Sequence, residues 1–141
     1  HRDWNLYNAP EAIRDNREVV QEAICIDIRQ LGAASEALRD DRELALAALQ
    51  SWGGRVFEFI SHRLQCDREL LRLALSHLYP YGALMNASSD LRNDFSIVQD
   101  LLLDAVKCHK SMLDLPRLID EAPDMIRGDL RNDKAIFIEV P

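Results

Sequence analysis

The chain has 141 residues, 48% hydrophobic and 29% charged, with only five glycines and five prolines; this is the balance of a folded domain, with too few turn formers for an all-β one. Its net charge of −7 is interleaved along the chain without a basic stripe, which argues against nucleic acid as a partner. No apolar run reaches the roughly 18 residues that cross a bilayer and no signal-peptide core opens the sequence. The three widely spaced cysteines, Cys25, Cys66 and Cys108, suit a reducing compartment.

Taken in chain order, the first apolar pattern is Leu6, Ala9 and Ile13, spaced i, i+3, i+7 on one helical face. Asn16 follows, then Val19, Val20, Ala23 and Ile24 at +3, +4, +7 and +8, one stripe of a helix predicted over 17–27. An Asn or Asp just before such a stripe is an N-cap, whose side-chain oxygen accepts from an orphan N–H of the first turn. Leu31, Ala34 and Leu38 predict a helix over 31–38. Asp41 then caps 42–51, with Leu44, Ala45, Ala48 and Leu49 inside. Phe57, Ile60 and Leu64 mark 55–64, and Asp67 caps 68–78 with Leu70, Leu71, Ala74 and Leu75. Leu84, Ala87 and Leu91 mark 83–91. Asp94 caps a longer helix, 95–113, whose stripe runs from Ile97 and Val98 through Leu101, Leu102, Ala105, Val106, His109, Met112 and Leu113. Asp114 and Pro116 open another helix, "LPRLIDEAPDMI", interrupted at Pro123. Asp133 begins the mask again with Ile136, Phe137, Val140 and Pro141.

The anchors Asn16, Asp41, Asp67, Asp94 and Asp133 stand 25, 26, 27 and 39 residues apart, and a fixed period with a fixed apolar mask is a repeat. Neither helix of a unit can bury its stripe alone, so neighbouring units must share a core, with Leu38 and Leu64 buried between them. The expected fold is all-α: tandem helix-turn-helix repeats of about 25–27 residues stacked as a short α-solenoid-like array. The array is expected over 1–113, with 114–141 an irregular C-terminal helical unit of the same domain.

The phrases "LRDDRELALAAL" and "GALMNASSDLRND" resemble the domain-of-unknown-function repeat family numbered 4116. Units anchored on Asn16, Asp41 and Asp67 match the first half of its repeat; Gly82, Ala83, Leu84, Ala87, Ser88, Leu91 and Arg92 match the second half. The resemblance covers about residues 6–103 and fades at the long helix and Pro123. It implies proteins of intracellular bacterial pathogens and unicellular algae, often with other domains alongside. It implies no cofactor and no catalytic residue.

The side chains themselves point the same way. His62 and Cys66 are one turn apart, but nucleophilic catalysis needs a base and an orienting group, and zinc about four close ligands; Cys25, His77, Cys108 and His109 supply neither. The repeated carboxylates stand where caps belong. Arg17, Arg42 and Arg68 are disfavoured by the dipole of a first helical turn. Their expected role is to lie across the next unit and pair with an Asp or Glu of the preceding link, and the alternative is a row that reads an acidic partner. Stacking should bring the turns "SWGG" and "LYPYG" to one edge, so Trp52, Tyr79 and Tyr81 are the candidate partner edge unless their rings fold back on the helices. The expected function is a non-enzymatic, cytoplasmic protein-interaction module that binds an unidentified protein, without metal, membrane or nucleic acid. The alternative is an accessory helical domain of a larger enzyme, such as a bacterial effector placed in a host cytosol.

Overall fold

The computed structural model describes residues 5–109, 113–134 and 136, without the side chain of His109. Met112, Phe137, Val140 and Pro141 of the apolar mask lie outside them. Among the described residues every regular element is helical. In chain order these are α1 (Glu11–Arg14), α2 (Arg17–Ile26), α3 (Glu36–Arg39), α4 (Arg42–Trp52), α5 (His62–Gln65), α6 (Arg68–Leu75), α7 (Ala83–Asn86), α8 (Ser89–Arg92), α9 (Phe95–His109), α10 (Leu115–Asp120) and α11 (Asp124–Arg131). Tight 3-10 turns run over Leu6–Asn8, Ile28–Ala33 and Gly53–Glu58.

The repeated anchors start the long helices as caps. The N–H groups of Val19, Leu44, Leu70 and Ile97 donate to side-chain oxygens of Asn16, Asp41, Asp67 and Asp94 at 3.2, 3.2, 3.0 and 3.2 Å. Each bond meets a first-turn donor that the helix itself leaves unpaired. The carboxylate of Asp133 accepts from Gln99; most of the helix it would cap lies outside the described residues.

The second helix of each unit differs from the expectation. The segments 31–38, 55–64 and 83–91 are not continuous: each is a tight first turn, a two-residue extended step, and a four-residue helix. Ala34 and Ser35, with ψ of 160° and 157°, make the step in the first of these, and Ala87 and Ser88, with ψ of 158° and 153°, in the third. Serine decides the break. Ser35 and Ser61 cap the short helices through Leu38 N–H and Leu64 N–H. The N–H groups of Ser35, Ser61 and Ser88 leave the helix to donate to the carbonyls of Arg14, Arg39 and Gln65, at 3.0, 2.9 and 3.0 Å. Every such bond joins one unit to the unit before it.

The expected burial survives the break in these three segments, whose i, i+3, i+7 residues still face one way, but not at Ile13 of the first unit, which is 40% exposed. Leu31, Ala34, Leu38, Phe57, Ile60, Leu64, Leu84, Ala87 and Leu91 are all buried, as are Leu44, Ala45, Ala48 and Leu49 of α4 and Leu70, Leu71, Ala74 and Leu75 of α6. With Leu115, Leu118, Ile119, Ile126 and Leu130 they form one core, which is why α10 and α11 belong to the same packed body.

The arginine row is partly internal. Arg17 pairs with Asp41, and Arg42 Nε donates to Asp67 Oδ2 at 2.8 Å. The partner is the cap aspartate of the following unit rather than a link residue. Arg68 departs from the pattern and faces Asp100 at 3.5 Å, both exposed. One carboxylate thus closes a helix and a seam together.

Burial opposes the charge of Asp67, but the bond from Arg42 and the N–H groups of Leu70 and Glu69 outweigh it and hold the carboxyl below its usual range. A depressed folded-state value contributes stability above the unfolded value, near pH ~4, that is lost as pH falls through the folded one. Asp67→Asn keeps a cap of the kind Asn16 makes, so it is expected to lose mainly the pH-dependent part; its deficit against wild type in urea midpoint should shrink as pH is lowered from 7 to 3. Asp67→Ala should lose about 1 kcal/mol more through the missing cap at both values. Equal midpoints for all three proteins at pH 7 would contradict this.

Candidate functional site

The most built part of the surface lies where the turns of successive units meet. α4 ends at Trp52, and Gly53 reverses the chain with φ of 65°. The loop after α6, residues 76–82, settles onto that turn. Gly54 N–H donates to the Tyr79 carbonyl at 2.7 Å. His77 Nε2 meets the Gln50 carbonyl at 2.9 Å, while His77 Nδ1 accepts from Tyr79 N–H at 3.0 Å; the ring is therefore a bracket inside the loop.

α10 closes the far side. Tyr81 Oη accepts from Asp114 N–H at 3.0 Å, and the Arg117 guanidinium lies 4.1 Å above the Tyr81 ring. Gly82, with φ of 97°, donates its N–H to both carboxylate oxygens of Glu121, at 2.9 and 3.0 Å. Burial pushes the Glu121 carboxyl up, against the opposing pull of the Gly82 and Met85 N–H groups and Arg117. With its oxygens held by backbone, Glu121 acts as a clamp between α10 and the loop. Asp120 is likewise engaged, 2.5 Å from Arg131.

Between these walls runs an open groove of about 1070 Å³ that all three predicted edge residues line, with Leu78, Met85 and Arg55. The rings do not stand alike. Trp52 is half-buried and donates its Nε1–H to the Ile24 carbonyl of the preceding unit at 2.8 Å, so this ring folds back. Tyr81 is half-buried under Arg117. Tyr79 is 67% exposed, beside Leu78 at 52% and Met85 at 55%. Sequence reasoning missed Leu78 and Met85; their signal was an apolar side chain off the buried mask. Arg117 and Glu121 reach the loop only through the tertiary fold and carried no local signal.

The groove offers apolar area and, among two arginines and two acids, an unpaired charge at Arg55. Arg55 makes no hydrogen bond or ion pair among the described residues, and Asp27, whose charge it favours from a distance, is already held by Arg29 at 3.0 Å. Elsewhere, His62 Nε2 and Cys66 Sγ lie 3.8 Å apart, yet no three His, Cys, Asp or Glu side chains among the described residues converge as metal ligands. No helix among them is long and apolar enough to cross a membrane.

The model of the family described as Domain of unknown function (DUF4116) matches residues 16–62 and, in a second overlapping copy, 41–81. The first stretch holds the Arg17–Asp41 seam and the second the Arg42–Asp67 seam, and both include the Trp52 and Arg55 side of the groove. No curated protein and no solved structure matches the chain.

Proposed function

Taking as premise that residues 16–81 belong to the DUF4116 repeat family, we propose that the protein is a non-enzymatic interaction module: a short solenoid-like stack of helical repeats that holds a protein segment in the groove beside Tyr79. The observation that carries the reading is the cluster of Leu78 and Tyr79 on the loop after α6 and Met85 on α7, each more than half exposed and all lining one groove. Apolar side chains gathered this way, rather than scattered, mark contact surfaces. Arg55 at the rim selects among partners: the segment that fits carries an apolar side chain close to a carboxylate. Trp52, tied to Ile24, serves as the groove's fixed wall.

The test places a photo-reactive residue at Met85 and, as a control, at Ile26, which is 80% exposed but away from the groove. Cross-linked segments mapped from position 85 should carry an apolar residue with Asp or Glu within a turn. Binding of a peptide made from such a segment should weaken at least about tenfold in Tyr79→Ala/Met85→Ala with an unchanged melting temperature. Arg55→Glu should reject it. The same adducts at position 26, or undiminished binding by the folded double variant, overturns the reading.

A further inference from the structure

A serine closes each seam between units, and two of the three seams use it fully. Ser35 N–H donates to the Arg14 carbonyl at 3.0 Å while its hydroxyl donates to Asp15 Oδ1 at 2.5 Å. Ser61 repeats both bonds, N–H to the Arg39 carbonyl at 2.9 Å and hydroxyl to Asp40 Oδ1 at 2.5 Å. At the third seam the backbone half recurs, Ser88 N–H to the Gln65 carbonyl at 3.0 Å. This places the Ser88 backbone as in its two counterparts, although its hydroxyl, unlike theirs, does not cap the short helix that follows. The next residue, in the register of Asp15 and Asp40, is Cys66. A thiol is a poor acceptor. Ser88 is only 5% exposed, and its hydroxyl is buried with no hydrogen-bond partner, a standing penalty on the fold.

The geometry points to Cys66 as a modification site: oxidation by a peroxide to the sulfinate supplies the missing anion and completes the third seam. Cysteine sulfinate carries two oxygens and one negative charge on the atom bonded to Cβ, as aspartate does. The thiol is free and exposed, so a peroxide reaches it from solvent. The thiolate sulfur attacks one peroxide oxygen; an S–O bond forms, the O–O bond breaks, and the other oxygen leaves as water or an alcohol after taking a proton. Sulfur has lost two electrons and is now a sulfenic acid. A second peroxide equivalent repeats the step to the sulfinic acid, which ionises. One sulfinate oxygen then accepts from the Ser88 hydroxyl, and the other faces His62, one turn back on α5. Asp90 occupies the register of Arg63, which pairs with Asp40, so the new anion has no arginine. Asp15 also manages without one, having Ala37 in that register.

The experiment uses the full chain with Cys25→Ser and Cys108→Ser, titrated with hydrogen peroxide and followed by peptide mass and thermal melting. The expected result is a gain of two oxygen atoms on the Cys66 peptide with a rise in Tm of roughly 2–4 °C. Unoxidised Cys66→Asp should show the same rise and no further response to peroxide. Ser88→Ala should take up the oxygens without the rise. The inference is overturned by failure of Cys66 to gain the oxygens, by an oxidised chain that melts no higher, by a Cys66→Asp protein no more stable than its parent, or by an equal rise without the Ser88 hydroxyl.

Discussion

Phe57→Ala is expected to destabilise the protein by about 3–5 kcal/mol, the upper range for truncating one core side chain. Phe57 is fully buried near the end of the 3-10 turn Gly53–Glu58, and its carbonyl accepts from Gln65 Nε2 at 2.7 Å. It takes the register that Leu31 and Leu84 take in the units on either side, and all three belong to one buried core. A smaller side chain leaves a void that helices held by seam bonds on both sides cannot close. Against a total of about 5–15 kcal/mol for a domain, such a loss should lower Tm by roughly 10–20 °C. Phe57→Leu, which restores the residue type of the other units, should recover more than half. A fall of only a few degrees for the alanine variant would mean that this turn is not part of the common core.

Gly54→Ala is expected to lift the loop 76–82 off the second unit and destroy the groove. A Cβ at this position would lie 2.2 Å from the Pro80 carbonyl oxygen and 2.5 and 2.7 Å from the Pro80 carbonyl carbon and the Tyr81 oxygen. All three are backbone atoms, so no rotamer change relieves the clash. The loop must move, which breaks the 2.7 Å bond from Gly54 to Tyr79 and withdraws Leu78 and Tyr79 from Met85. Overpacking of this kind costs about 1–3 kcal/mol, occasionally more. Gly128→Ala is the control: it sits exposed within α11 with nothing within 4 Å of a new Cβ, and should stabilise by about 0.5–1 kcal/mol through helix propensity. Melting shifts of opposite sign are therefore expected from the same chemical change. A neutral Gly54→Ala would show that the two turns are not in contact.

The long helices were legible because their signals are local. An Asp or Asn followed by apolar residues at +3, +4, +7 and +8 contains its own cap and its own buried face, and α2, α4, α6 and α9 start within a residue of the expected positions. The all-α class and the buried register of Leu38 and Leu64 follow from the same periodicity. The edge was legible in part: the turns holding Trp52, Tyr79 and Tyr81 do converge on one groove, because equal repeats put equal turns side by side.

What the residues could not announce is where a backbone group finds a partner far along the chain. Ser35, Ser61 and Ser88 interrupt otherwise good helical spacing only because their N–H groups bond a carbonyl of the preceding unit, a choice that exists once the units touch. The direction of the arginines has the same origin. Arg17 and Arg42 reach Asp41 and Asp67 because each cap lies above the preceding first turn in space, and spacing along the chain does not encode that height. Trp52 turns inward because Ile24 offers a carbonyl to its indole N–H, whereas the Tyr79 side chain has no hydrogen bond among the described residues and stays in solvent. Periodic burial is a property of one helix and can be read along the chain; the pairing of polar groups between helices depends on distances that only the packed fold sets.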